Sequence, residues 1–120
     1  MEKKTLVIGA SAQTNQYSNI AIHRLAAFGH PVLALGLRQA MVGTVLIETV
    51  PGNWKPVDTV TLYLNPERQR AYYSYLLDLL PNRIIFNPGT ENRELEKMME
   101  DAGVVTLRAC TLVMLSTGQY

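Results

Sequence analysis

Thr5-Leu6-Val7-Ile8-Gly9-Ala10-Ser11 is a short apolar run that breaks at a glycine, and it leads into an amphipathic helical pattern beginning near Ser18. A strand-to-helix turn of this kind leaves unpaired backbone N–H groups at the positive end of a helix dipole, so it favours an anion before any side chain contributes. Gly9, Ala10, Ser11, Tyr17 and Ser18 are therefore candidate contacts for the phosphates of a nucleotide-like ligand. Gly9 itself is expected to serve that approach, so that a β-branched replacement costs binding more than stability. A second candidate is Arg38, in Gly36-Leu37-Arg38 after the next apolar run. Dinucleotide sites of the NAD type place an Asp or Glu there to hold the ribose, whereas an arginine suits a phosphate on the ribose, the 2′-phosphate of NADP or the 3′-phosphate of coenzyme A. The glycine pattern also departs from G-x-G-x-x-G, since Ser11 and Thr14 stand at the second and third glycine positions. Both features argue against NAD. Asn65-Pro66 and Asn87-Pro88-Gly89-Thr90 complete the set of polar, turn-forming loops that follow apolar runs.

Residues capable of covalent or acid–base chemistry are few. His23 falls on the helix side opposite Ala21 and Leu25 and is expected in solvent. His30 precedes the second apolar run, at the edge of a sheet away from the ligand loops. Cys110, the single cysteine, excludes an internal disulfide and a multi-cysteine zinc site. With no histidine placed to activate it, it reads first as a small buried residue and only second as a nucleophile toward an acyl group. No catalytic residue and no metal ligand is assigned.

The elements that must position these loops alternate. Strands are expected at the run ending in Gly9, at 31–35, 57–64, 83–86 and 104–107. Between them run a helix burying Ala21, Leu25 and Phe28 with Ile22 and Ala26 beside them, a helix from Pro66 carrying Tyr72, Leu76 and Leu80 with Tyr73 and Leu77, and a helix burying Leu95, Met98, Met99 and Ala102. Asn65 serves as N-cap and Pro66 as first helical residue, Gly29 and Gly103 close helices, and Pro81 stops the second. Residues 41–47 carry a Gly43 turn in a short excursion, and 110–120 are helical or irregular. Five strands joined by helices require parallel neighbours and right-handed crossovers, which gives an α/β, Rossmann-like doubly wound sheet of mainly parallel strands. In such a sheet ligands lie beyond the carboxyl ends of the strands, where strand order reverses beside the first strand.

At 120 residues with 48% hydrophobic content, the chain is read as one domain spanning 1–120. Eleven basic residues against 10 acidic ones give no general attraction to nucleic acid or anionic lipid. No apolar stretch approaches the ~20 residues of a membrane span and no signal-peptide layout is present, so a cytoplasmic location is expected. Tyr72, Tyr73 and Tyr75 cannot all face one core, and a ring left exposed would suit a homodimer or another protein partner.

Val7-Ile8-Gly9-Ala10-Ser11, then Tyr17-Ser18-Asn19, Val57-Asp58-Thr59-Val60, Asn87-Pro88-Gly89 and Cys110 together resemble the small, single-domain coenzyme A-binding proteins, which are similar to the CoA-binding domain of the succinyl-CoA synthetase alpha subunit. The resemblance spans essentially the whole chain. It implies that CoA lies across the strand ends, phosphates near Gly9, Ala10 and Ser11 and adenosine near Arg38. Many relatives carry an Asn-Pro pair after strand two, where this chain has Gly36-Leu37-Arg38. The expectation is a CoA or acyl-CoA binding module without catalytic machinery. The alternatives are an NADP-binding oxidoreductase or sensor and an acyl-CoA enzyme acting through Cys110.

Overall fold

The computed structural model describes residues 2–120. One sheet carries strands from along the chain: β1 (Thr5–Ala10), β2 (Val32–Gly36), β3 (Ala40–Val42), β4 (Val45–Glu48), β5 (Thr59–Leu62), β6 (Arg83–Phe86) and β7 (Val105–Arg108). Their spatial order is β3-β4-β2-β1-β5-β6-β7, and all neighbours are parallel except the edge pair β3–β4. The architecture is mixed α/β and Rossmann-like, with seven strands where five were expected.

The two additional strands come from the excursion at 41–47. Gly43, at φ 59°, turns the chain tightly between Val42 and Val45, a two-residue hairpin that glycine makes possible. β4 then pairs with β2 through Ala34↔Ile47 and Leu35↔Glu48. Val42 and Ile47 are buried, so the hairpin is anchored by one apolar residue from each strand.

Alternation along β1 feeds two cores. Leu6 and Ile8 join Val60, Leu62, Ile84, Phe86, Leu76, Leu95 and Met99 on one face, where α2 (Pro66–Gln69), α3 (Tyr73–Leu79) and α4 (Arg93–Asp101) pack. Val7 joins Ala34, Ile47, Ile22, Leu25 and Leu115 on the other, under α1 (Tyr17–Ala27) and α5 (Thr111–Ser116). Each Leu or Ile withdrawn fully from water in this way contributes about 1.5–3 kcal/mol.

Several expected core positions differ. Phe28 follows α1 as its C-cap and is exposed, as are Ala26 and, after α4, Ala102. Ala26 lies inside α1 on its solvent side, while Phe28 and Ala102 stand at helix ends, where no further turn follows to cover them. Helix 66–80 is broken into α2, a 3₁₀ turn at Arg70–Tyr72 and α3. The break rotates the pattern, so Leu79 is 3% exposed, while Leu80, left-handed at φ 47°, swings out to 47%. Tyr72, Tyr73 and Tyr75 all pack partly buried against the core, and none projects into solvent as expected.

Register places the functional loops together. Thr5–Ile8 of β1 pair with Thr59–Leu62 of β5, which pair in turn with Arg83–Phe86 of β6. The three strands therefore end level, and Gly9, Tyr63 and Asn87 emerge along the same carboxyl edge. β2 leaves β1 on the opposite side from β5, so strand order reverses beside β1.

Candidate functional site

A cleft of about 220 Å³ opens at that reversal, lined by Gly9, Gln16, Tyr17, Ser18, Tyr63, Leu64, Asn65, Pro88, Gly89 and Thr90. Its floor is the β1 turn. Gly9 adopts φ 92°, and a Cβ there would stand 2.9 Å from the carbonyl carbon and oxygen of Tyr63. The Tyr63 N–H donates to Ile8 O at 2.8 Å, so β5 crosses against β1 where only a glycine leaves room.

One wall is the start of α1. Its N-cap, Gln16, makes no side-chain capping bond and its first turn holds no acid. Asn65 caps α2 by accepting from Arg68 N at 2.9 Å, and Asn92 caps α4 by accepting from Leu95 N at 3.2 Å. The Tyr17 and Ser18 N–H groups, the first two of α1, thus lack the side-chain acceptor found at the starts of α2 and α4 and are suited to an external anion, whereas Asn19 N already donates to Gln16 O at 3.1 Å. Ser18 is buried beside them and Tyr17 is 71% exposed at the mouth. Ser11 holds the intervening loop: its hydroxyl accepts from Gln13 N at 3.1 Å and its carbonyl from Asn19 Nδ2 at 3.0 Å.

The opposite wall is built by the loops after β5 and β6. Asn87 is buried and its carboxamide is fully engaged: Nδ2 donates to Thr61 Oγ1 at 2.7 Å and Leu62 O at 2.9 Å, and Oδ1 accepts from Thr111 N at 2.9 Å. Its side chain therefore supports the loop from behind, while Pro88 and Gly89 face the cleft. Gly89 N donates to Glu91 Oε1 at 2.9 Å, so that donor is already occupied.

Of the residues singled out in the sequence, Gly9, Tyr17, Ser18, Asn65, Pro88 and Gly89 line the cleft; Ala10, Ser11, Pro66, Asn87 and Arg38 do not. Arg38 lies two residues beyond Gly36, which pairs with Ala10. It is exposed next to the β1 end and pairs with no carboxylate among the described residues. Gln16 and Leu64 fall within the strand-end loops expected to meet the ligand, 9–18 and 64–66, but neither they nor Tyr63 were singled out as contacts, because nothing in their types separates them from ordinary loop or strand residues.

No charged side chain lines the cleft. Burial pushes the Tyr63 hydroxyl up to about 12, so it stays protonated through the neutral range and offers no base. Cys110 is half-buried at the N-cap of α5, beyond the end of β7. His30 lies at the other edge of the sheet, where its Nδ1 accepts from Lys3 N at 2.9 Å, and His23 is exposed on α1 near Gly43. Among the described residues no three His, Cys, Asp or Glu side chains gather as metal ligands, and no helix is long and apolar enough to cross a membrane.

The family known as the CoA binding domain matches residues 3–116. The chain belongs to the CoA-binding domain family. The crystal structure of an uncharacterized protein superimposes on it with a TM-score of 0.97 at 44% identity, covering 100% of this chain and 99% of the other. A hypothetical protein from Pyrococcus horikoshii OT3 gives 0.86 at 21% identity over 97% of this chain and 83% of that one. A Thermus thermophilus protein gives 0.85 at 20% identity, covering 98% and 91%. The two lower identities speak for the fold alone. No curated protein matches the chain. Within a CoA-binding domain, the uncapped α1 terminus and the strand-order reversal occupy the place where this type of sheet takes its ligand.

Proposed function

We propose that the chain is a binding module for CoA or an acyl-CoA and carries no chemistry of its own. The observation that carries this reading is the start of α1, the one helix at the cleft with neither a side-chain cap nor an acid in its first turn. The pyrophosphate sits on its N–H groups. The ribose 3′-phosphate reaches toward Arg38, the free cation beside the β1 end, and the uncharged pantetheine arm follows the uncharged walls at 63–65 and 88–90. At about 220 Å³ the cleft is smaller than the ~300–1,000 Å³ of a site that encloses a whole ligand. It therefore holds one part of CoA, with the adenosine outside on the surface.

Calorimetry on ligand-stripped protein tests this. CoA and acetyl-CoA should both bind, and NADPH should not displace them. No heat from either at millimolar concentration would sink the proposal, and tight NADPH binding with CoA excluded would replace it with the oxidoreductase or sensor reading. An acetyl adduct on Cys110, seen by mass after incubation with acetyl-CoA, would contradict the absence of chemistry.

A further inference from the structure

One fully buried side chain ties together the two loops that build the wall of the cleft opposite α1. Gln69, the last residue of α2, is 0% exposed. Its Nε2 donates to Leu64 O at 2.8 Å and to Thr90 O at 2.7 Å, and both acceptors belong to residues that line the cleft. Its Oε1 accepts from Asn92 Nδ2 at 2.9 Å. Two carbonyl acceptors on one side fix which way round the amide sits. Asn92, 7% exposed, also donates to Tyr73 Oη at 2.8 Å while capping α4. The helix containing Gln69 has its own cap in Asn65, and Gln69 is not needed to complete it. A polar group held this deep gains little net stability over an apolar residue, but a fully satisfied network fixes distances that apolar packing does not.

We propose that Gln69 is a positioning residue for the ligand: by spanning Leu64 and Thr90 it sets the gap between the β5 and β6 loops, and so the width available to the pantetheine arm. This rests on the CoA reading above. Asn92 holds Gln69 in that orientation.

The test compares CoA with adenosine 3′,5′-bisphosphate, which lacks the arm, in wild type, Gln69→Met and Asn92→Asp, and follows backbone hydrogen exchange at 63–66 and 87–91. Gln69→Met keeps the volume and removes both donors. Asn92→Asp keeps the α4 cap and removes the donor to Gln69. Both variants should bind CoA about tenfold or more weakly, the loss of about one hydrogen bond's worth of fit, with bisphosphate affinity changed by less than about twofold. Exchange should rise in both loops while the central strands stay protected. Equal losses for the two ligands, or an unchanged CoA affinity, would overturn the positioning role. Should Gln69→Met not fold, Asn92→Asp decides. Should wild type bind neither ligand, the CoA reading fails on its own account, and exchange still decides: loops that stay protected in the variants refute the span, and loops that open together uphold it.

Discussion

Gly9 and Gly89 both face the cleft with left-handed backbones, φ 92° and 91°, yet their surroundings differ. A Cβ on Gly9 would press on the Tyr63 backbone at 2.9 Å, whereas one on Gly89 would meet nothing within 4 Å. Gly89→Ala should therefore cost only the left-handed strain, about 1–2 kcal/mol. Gly9→Ala should add an overpacking cost of about 1–3 kcal/mol to the same strain. Urea unfolding of the two variants measures the difference, and equal losses would mean that the β1–β5 approach yields freely. The expectation that a change at Gly9 costs binding more than stability therefore meets a competing cost, because the Tyr63 backbone requires the glycine whether or not a phosphate is present. Arg38 is the complementary case, exposed and unengaged by any carboxylate of the described chain. Arg38→Ala should leave unfolding unchanged and weaken CoA by about 1.5 kcal/mol, the lower end for a charge-assisted hydrogen bond because water screens it. Dephospho-CoA, lacking the 3′-phosphate, should bind both proteins alike. Loss of affinity for both ligands would assign Arg38 to the loop or the pyrophosphate instead. Glycine, arginine and turn residues announced themselves in the sequence since their types imply a backbone or a charge. Gln69 did not: a glutamine inside a helical pattern looks like a solvent residue until its two acceptors are seen to come from separate loops.

At the scale of elements, the strongly periodic segments and their punctuation were legible, and the places where secondary structure is short or broken were not. Asn65-Pro66 starts α2 as its residue types require, but the helix gives way after one turn to the 3₁₀ turn at Arg70–Tyr72, next to Gln69, whose amide is held by Leu64 O just before the helix and by Thr90 O in a separate loop. The β3–β4 hairpin has only three and four residues per strand, and its pairing with β2 is a tertiary event that local pattern cannot report. The outer strand on the other side, β7, is fastened by charge. Arg108 at its end donates to Glu96 of α4 through Nε at 2.7 Å and Nη2 at 2.8 Å. Those hydrogen bonds hold the Glu96 carboxyl below its ordinary value of 4.5, against an opposing contribution from burial. The folded protein therefore binds a proton at Glu96 less readily than the unfolded chain. The stability gained from the pair is whole above pH 4.5 and is lost as pH falls through the lower, folded value. Thermal unfolding of wild type and Glu96→Gln should show a gap that is constant near neutrality, narrows below pH 4.5 and closes in stronger acid. A gap that persists unchanged into acid would mean that packing, not ionisation, fastens this edge.

Across the whole molecule, the sheet separates two kinds of work. Its carboxyl edge holds the cleft, and its amino edge is closed by Tyr120, a residue whose helical or irregular surroundings gave no sign of such a role. The Tyr120 hydroxyl lies 2.5 Å from Thr5 Oγ1 at the start of β1. Its ring packs 4.9 Å from that of His30 and 4.4 Å from the guanidinium carbon of Arg83, and Lys3 Nζ donates to its carbonyl oxygen. One side chain thus joins the beginnings of β1 and β6 and the residues leading into β2. Removing a core aromatic costs about 3–5 kcal/mol; Tyr120 is partly exposed, so Tyr120→Ala should cost about 2–3 kcal/mol through lost packing and the cation–π contact. Because the parallel strands carry the two edges apart by their full length, CoA affinity at temperatures where the variant remains folded should match wild type. The pair of variants then forms a cross: Tyr120→Ala lowers stability and spares binding, while Arg38→Ala lowers binding and spares stability. If Tyr120→Ala weakened CoA while still folded, the strand ends would have to shift when the amino edge opens, and the cleft would be a property of the whole sheet rather than of the loops that line it.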